Sequence, residues 1–569
     1  MSQEGTARGG GELFDGPSVD AFVHRAFMRG RGLSAEQVRR RPVIGICSSW
    51  SELNPCNSGL DRVAQAVKDG VTAAGGLPLV FPTISISEPF SRPSSMLLRN
   101  LMAMDVEQMI ASSPIDAVVL LGGCDKTVPA QLMGAISAGK PALVVTAGPR
   151  QVGCWRGESL TVDDLWPLAD RRRQGLVSDE QWRELEDCLN PSTGTCNVMG
   201  TAITMAAIAE VLGFALPGSS LPVATGARRL ALAEETGRRI VAAAGEKLRP
   251  SELVTPAALE NAVRVVCAVS GSTNAVVHLA AIAGRAGIRL SRAKLRQWTR
   301  DTPVLADVRP AGRHLLAQLE QDGGIPAVVR RLGDRMHLDC RTATGRRWAD
   351  ELPPDEGPTP SLRTVEDPVD ADGALAVLEG NLAPDGAIIK RSAASARLLR
   401  HVGPAVVFDG VDDLHARIDD PALPIGPDSV LVLRGTGPRG GPGMPEVGHL
   451  PIPRRLLDAG VDDMVRISDA RMSGTATGTV VLHVAPEAAV GGPLSLVRDG
   501  DPIRLDVPAG ALELLVDPAV LGAREPVLPA GVPPRRGYDL LYWRHVSQAP
   551  AGCDFDFLRG AEGPGGGDD

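Results

Sequence analysis

Lysine is scarce in this chain. Only six of its 59 basic residues are lysines, at positions 68, 126, 140, 247, 294 and 390. Arginine serves wherever positive charge alone suffices, so a position that keeps lysine is a candidate for chemistry that needs an amine. Lys126 and Lys390 both lie inside motif-like loops. Long apolar runs are missing too. No stretch approaches the ~20 residues of a membrane span, and the polar start MSQEGTARGGGELFDG has no signal-peptide core. A cytoplasmic protein with no membrane partner is expected. Concentrated positive charge is also absent: the net charge is -9, and the arginine clusters at 39–41, 171–173 and 330–331 are short and scattered. That argues against nucleic acid as the main partner. The nine cysteines form neither a CxxC pair nor an even set. Spread over a long chain without a secretory signal, they read as reduced thiols, some available to a metal, rather than as a disulfide framework.

At 569 residues, 43% hydrophobic and 22% charged, the chain suits two or more globular domains. Residues 1–41 are expected to form an irregular arm with one helix near Val19–Met28. From residue 42 the texture alternates: strand 42–47, a loop carrying Cys56, an amphipathic helix 60–74 stopped by Gly75 and Gly76, and strand 77–81. That order belongs to a parallel α/β sheet. It recurs at strand 117–121, followed by Cys124 and helix 131–138, and at strand 141–146. A further unit is expected from Val265–Val269, the turn 270–274 and helix 275–286. Residues 150–190 read as a polar helical excursion, a lid or an interface. Helix 201–212 places Cys196 at or just before its first turn, where free N–H groups and the helix dipole favour a thiolate. The Pro/Asp/Glu-rich texture within 340–372 reads as a linker. Beyond it, short strand signals at 387–390, 405–408, 429–434, 464–467, 479–484, 494–497, 503–507 and 512–516 indicate a β-barrel or sandwich. The expected division is an arm (1–41), an α/β domain (42–365) and a β domain (366–569).

The segment 121–131, LGGCDKTVPAQ, sets Cys124, Asp125 and Lys126 where a buried strand ends, the edge at which open α/β sheets bind ligands. Cys56, Cys124 and Cys196 stand 68 and 72 residues apart, each in a loop leading to a helix, so one sheet edge can gather all three. Three convergent thiolates suit an iron-sulfur cluster with an open iron position more than zinc; unrelated buried thiols are the bland alternative. Glu88, Asp125 and Glu446 offer carboxylates of the kind magnesium takes. Glu446 closes a Gly/Pro-dense loop, 434–446, that either lets backbone approach a ligand or makes a tight surface turn. Ser473 lies in a Gly-flanked turn without a GxSxG elbow or a nearby His-Asp pair, so it is not read as a hydrolase nucleophile. His278 and His483 are read as satisfied core histidines.

Seven ordered motifs carry a resemblance: PCN (55–57), GGCDKTVPAQLMGA (122–135), GTCNVMGTAITMAAIAEVLG (194–213), GSTNAVVHLAAIA (271–283), GNLAPDGAIIK (380–390), GPRGGPGMPE (437–446) and SDARMSGTATGTVVLHVAPEA (468–488). Together they make the chain resemble the family of dihydroxy-acid, sugar-acid and phosphogluconate dehydratases, from about residue 42 to the C-terminal GCDFDFL. The resemblance implies an N-terminal α/β domain, a C-terminal β-barrel and an active site between them, in a homodimer or homotetramer. It implies a 2Fe-2S cluster on Cys56, Cys124 and Cys196, and magnesium on Glu88, Asp125, Glu446 and a carbamylated Lys126. Ser473 is the implied base. Carbamylation needs an amine, which agrees with the lysine argument.

Within that family, SDARMSGTA with LHVAPEA, and RPSSM with LLRN in the segment 88–100, look like the sugar-acid branch; the branched-chain enzymes more usually read DGRFSGG. A pentonate or hexonate substrate is therefore expected ahead of a 2,3-dihydroxy-3-methyl acid. Four departures bear on substrate identity: Gly59 for a common His, Arg150 for a frequent Met, Ser270 for the first Gly of GGSTN, and Thr477 for a usual Tyr. Two other classes compete. An electron-transfer or sensing iron-sulfur protein would want full protein ligation and no use for Glu88, Lys126, Glu446 or Ser473. An inactive regulatory relative would be marked by a lost ligand or base, and every one is present.

Overall fold

The computed structural model describes residue 14 and residues 16–40, 42–528 and 533–560. The arm carries the expected helix, Val19–Gly30, started by Ser18, whose Oγ accepts from Ala21 N–H at 3.1 Å. Next come four parallel strands, β1 (Val43–Ser48), β2 (Leu77–Pro82), β3 (Ala117–Gly122) and β4 (Ala142–Thr146), in the order β2-β1-β3-β4. β1, β3 and β4 are buried along their whole length. Helices cover both faces, which is why these strands read as continuous Val/Ile/Leu/Ala runs rather than as alternating ones.

The helix after β3 begins at Thr127, four residues earlier than the apolar pattern suggests, with Lys126 as its N-cap. Pro129 masks this start in the sequence, yet it is tolerated there because first-turn N–H groups have no partner within the helix. Cys124, Asp125 and Lys126 therefore fill the turn between strand and helix. Helix Leu60–Ala73 lies against helix Ala227–Glu246, and a side chain at Gly70 or Gly237 would collide with the facing backbone. The excursion holds a small hairpin, β5 (Gly153–Trp155) with β6 (Glu158–Leu160), and then helices Leu165–Arg173 and Asp179–Leu189.

Three local expectations are corrected. Val265–Val269 does not open a β unit. Residues up to Ala268 finish the helix Pro256–Ala268, begun by Thr255 and Pro256, because a short apolar run cannot by itself tell a buried strand from a buried helix. Residues 494–496 lie in a 3-10 turn, Pro493–Leu496, started by its proline and followed by Val497, so no strand forms there. Cys196 sits five residues before helix Thr201–Val211, since a tight turn at Gly200, whose N–H bonds Val198 O, intervenes. The 340–372 stretch is irregular but tied down by isolated bridges Ala306–Leu362 and Val304–Asp370.

Eight strands then close into a barrel: β7 (Leu375–Gly380), β8 (Ala383–Lys390), β9 (Arg400–Asp409), β10 (Val430–Arg434), β11 (Arg466–Ser468), β12 (Val480–Ala485), β13 (Pro502–Asp506) and β14 (Ala511–Leu514). They run in the order β10-β11-β12-β8-β7-β14-β13-β9. Closure leaves no unpaired edge. Alternation along β8 divides its side chains, with Ile389 in the barrel core and Ile388 in the core of the N-terminal domain. This wall joins the two domains. Among the described residues no helix is long and apolar enough to cross a membrane.

Candidate active site

The C-terminal end of the parallel sheet meets the loops of the barrel around one amine. Lys126 Nζ stands 2.8 Å from Glu88 Oε2, 3.0 Å from Glu446 Oε1 and 3.6 Å from Asp125 Oδ2. The lysine side chain is fully buried, whereas Glu446, Asp125 and Glu88 keep 10%, 13% and 23% of theirs exposed, so the nest opens on its acidic side. Oxygens of the three carboxylates lie within 4.8 Å of one another, a spacing at which one cation could touch all three.

The electrostatics follow from three acids around one base. Burial pushes the Glu446 carboxyl up to about 7, helped by the Glu88 charge. Burial works the same way on Glu88, but Lys126 and Arg471 outweigh it and hold that carboxyl at about 2. Asp125 is raised, chiefly by burial. For Lys126, burial and Arg471 both oppose the charge, and the three carboxylates together still lift it above the ordinary lysine value.

The thiols gather beside this nest. Glu88 N–H donates to Cys124 Sγ at 3.3 Å, and Cys124 N–H to Asn57 Oδ1 at 3.1 Å. Cys56 and Cys124 act on each other's ionisation. That interaction is the largest influence on both, pulling the Cys56 thiol down against its burial and pushing Cys124 up. Burial drives Cys196 up to about 12, opposed by Arg150 and reinforced by the charges of Asp125 and Cys56. The expected dipole-stabilised thiolate at Cys196 is thus overturned: the residue lies too far ahead of its helix for the dipole to act, and desolvation prevails.

Ser473 sits across the domain junction. Its turn presses on the start of helix Thr201–Val211, where a side chain at Gly474 would come within 2.7 Å of Thr201 N and 2.8 Å of Ser272 Oγ. Ser473 Oγ lies 2.8 Å from Thr475 Oγ1, which accepts from Trp166 Nε1–H at 2.9 Å. Either hydroxyl can donate in the Ser473–Thr475 pair, and Thr475 N–H points at the serine oxygen at 3.3 Å.

Sequence reasoning assigned no role to Asn274 or Arg471, which both donate to Glu446 Oε1 at 2.7 Å. They stand inside quoted motifs, which was the available signal. Arg150 Nε donates to Thr195 O at 2.9 Å, beside Cys196. His278 and His483 are buried as expected, yet both His483 nitrogens and His278 Nε2 lack hydrogen-bond partners among the described residues.

The dihydroxy-acid/6-phosphogluconate dehydratase N-terminal profile matches residues 41–351, and the C-terminal profile of the same family matches residues 361–553. The chain belongs to this dehydratase family. Among its relatives, the L-arabonate dehydratase of Azospirillum brasilense is 48% identical over 96% of this chain and 96% of its own. The 6-deoxy-6-sulfo-D-gluconate dehydratase of Pseudomonas putida is 47% identical over 96% of this chain and 95% of its own. The dihydroxy-acid dehydratase of Solidesulfovibrio magneticus is more distant, 37% identical over 89% and 92%. The motifs that hold the buried nest, the thiols and the serine turn all fall within the matched family regions.

Proposed function

We propose that this dehydratase-family protein is a hydro-lyase that removes water from a sugar acid, a pentonate or hexonate, and yields the 2-keto-3-deoxy acid. The single observation that carries the reading is the convergence of Glu88, Asp125, Glu446 and Lys126 beside three clustered thiols, opposite a serine paired with a threonine hydroxyl. The donor set fits both implied groups. Three oxygens within 4.8 Å suit magnesium, and the buried Asn274 Oδ1, which has no protein partner, offers a further acceptor at the nest. Cys56, Cys124 and Cys196 would hold the 2Fe-2S cluster, and Glu88, Asp125, Glu446 and carbamylated Lys126 the magnesium. When bound, these groups supply Lewis acidity toward the substrate's carboxylate and hydroxyls.

The chain's own residues account for the proton movements. Ser473 Oγ, as the alkoxide, accepts from the Thr475 hydroxyl and N–H, and from this position it takes the C2 proton. Trp166 anchors the Thr475 hydroxyl beside Ser473, and Arg471 and Asn274 hold Glu446 in place. We place the division between the two domains at residues 365 and 366 and the protein in the cytoplasm, as a homodimer or homotetramer.

The test is anaerobic reconstitution with iron, sulfide and magnesium, followed by assay of 2-keto acid formation from arabinonate, xylonate, galactonate, gluconate and 2,3-dihydroxyisovalerate. Activity on an aldonate that vanishes in Ser473→Ala supports the proposal. Preference for dihydroxyisovalerate, the substrate type suggested by the 37% relative's name, would move the protein to the branched-chain reaction. Colour without turnover on any of the five would favour a redox or sensing role.

A further inference from the structure

The other motif lysine is not absorbed by this reading. Lys390, at the end of β8, is 2% exposed, and its Nζ has no hydrogen-bond partner among the described residues. Strand alternation puts it on the same side of β8 as Ile388, facing the N-terminal domain rather than the barrel core. The residues just after it bond two turns that belong to the candidate site. Ser392 Oγ lies 2.6 Å from Ser270 Oγ, at the head of the 270–274 turn that supplies Asn274 to Glu446. Ala393 O accepts at 2.8 Å from Gly478 N–H, at the foot of the turn that carries Ser473. A third segment reaches it electrostatically. Asp163 is the acid that acts on the Lys390 charge, and its neighbours tie residues 162–166 to both sides of the site: Val162 N–H donates to Asn197 Oδ1 at 3.2 Å, next to Cys196, and Trp166 bonds Thr475.

A buried amine without a partner is costly unless something else meets it. Resting on the functional reading above, we propose that Lys390 is the acid that delivers a proton to C3 of the enol, making the tautomerisation to the keto acid an enzyme-bound, stereospecific step. Ser473 Oγ takes the C2 proton and hydroxide leaves C3, which forms the C2–C3 double bond of the enol. Lys390 ammonium then gives a proton to C3 while the enol O–H proton goes to the departed hydroxide, forming water and the 2-keto group. The neutral Lys390 amine recovers its proton from the Ser473 hydroxyl through solvent, which restores both groups. No electrons are exchanged. The chemistry explains the choice of residue, because an arginine cannot give up a proton near neutral pH. Burial, opposed only by Asp163, brings Lys390 down to about 8, into the range a general acid needs.

The experiment is turnover of the reconstituted protein in D2O, with NMR assignment of deuterium at the two C3 positions of the product. The native protein is expected to label one position only. Lys390→Met and Lys390→Arg are both expected to keep forming product and to label the two positions about equally, because the enol escapes and tautomerises in water. Lys390→Arg keeps the charge and guards against failure of the apolar variant to fold. Single-position labelling in either folded variant overturns the proposal, as does equal labelling by the native protein or complete loss of turnover in both folded variants. Absence of any 2-keto acid from the native protein removes the functional reading and this step with it.

Discussion

Two buried lysines meet opposite surroundings. Lys126 stands among three carboxylates, two of them at 2.8 and 3.0 Å, whereas the Lys390 amine has no hydrogen-bond partner. Burial pulls both down, to about 8 for Lys390, but the carboxylates around Lys126 outweigh it and lift that lysine instead. A surplus of acid around a base marks a place built for a cation. A base left alone marks a place built for something that arrives.

Substitution should separate the two by sign. Lys126→Met leaves a fully buried position beside three acids without its counter-charge and is expected to destabilise the fold by about 3–5 kcal/mol, with loss of turnover; chemical denaturation and assay check this. Ser473→Ala should leave stability nearly unchanged and lower kcat by about 10²–10⁴-fold, measured on the best aldonate. Lys390→Met removes an amine with no partner and keeps most of the volume, so it should be neutral or stabilising by about 1–2 kcal/mol in the same denaturation experiment. A large loss there would mean that the amine is satisfied in solution and would erase the contrast.

The smallest effect concerns protons. The Glu446 carboxyl is raised to about 7, so the folded protein holds a proton there that the unfolded chain releases near the ordinary carboxylate value. That contribution to stability is fully present below the unfolded value and is lost as pH rises through about 7. Magnesium needs the carboxylate, so its binding should release a proton and tighten as pH rises toward about 7, by up to on the order of tenfold per pH unit, and then level off. Titration calorimetry in two buffers of different ionisation enthalpy reads that proton directly. Glu88, held at about 2, should add nothing to the slope in this range.

Much of this arrangement is legible along the chain. The helical period of 60–74, the buried runs of β1, β3 and β4, and the glycines that stop the first helix are local properties, and they forecast the four-stranded parallel sheet correctly. The residues of the nest were also named from motifs, although their roles rest on the resemblance. Local pattern failed where two structures share one apolar signature, as at Val265–Val269, or where a turn of a few residues moved a side chain off a helix end, as at Cys196. It also missed β7, whose apolar run follows directly on the irregular stretch before it.

The sequence by itself determined which residues could do chemistry: a lysine kept against an arginine-rich composition, three thiols ahead of helices, a serine without a histidine. Only the tertiary structure decided which of them meet. Glu446 reaches Lys126 across 320 positions of chain, and Asn274 reaches Glu446 across 172. Such contacts depend on how the barrel wall packs against the sheet edge. That packing is set by the complementary shapes of two separately buried cores, and no local period of 2 or 3.6 residues records it.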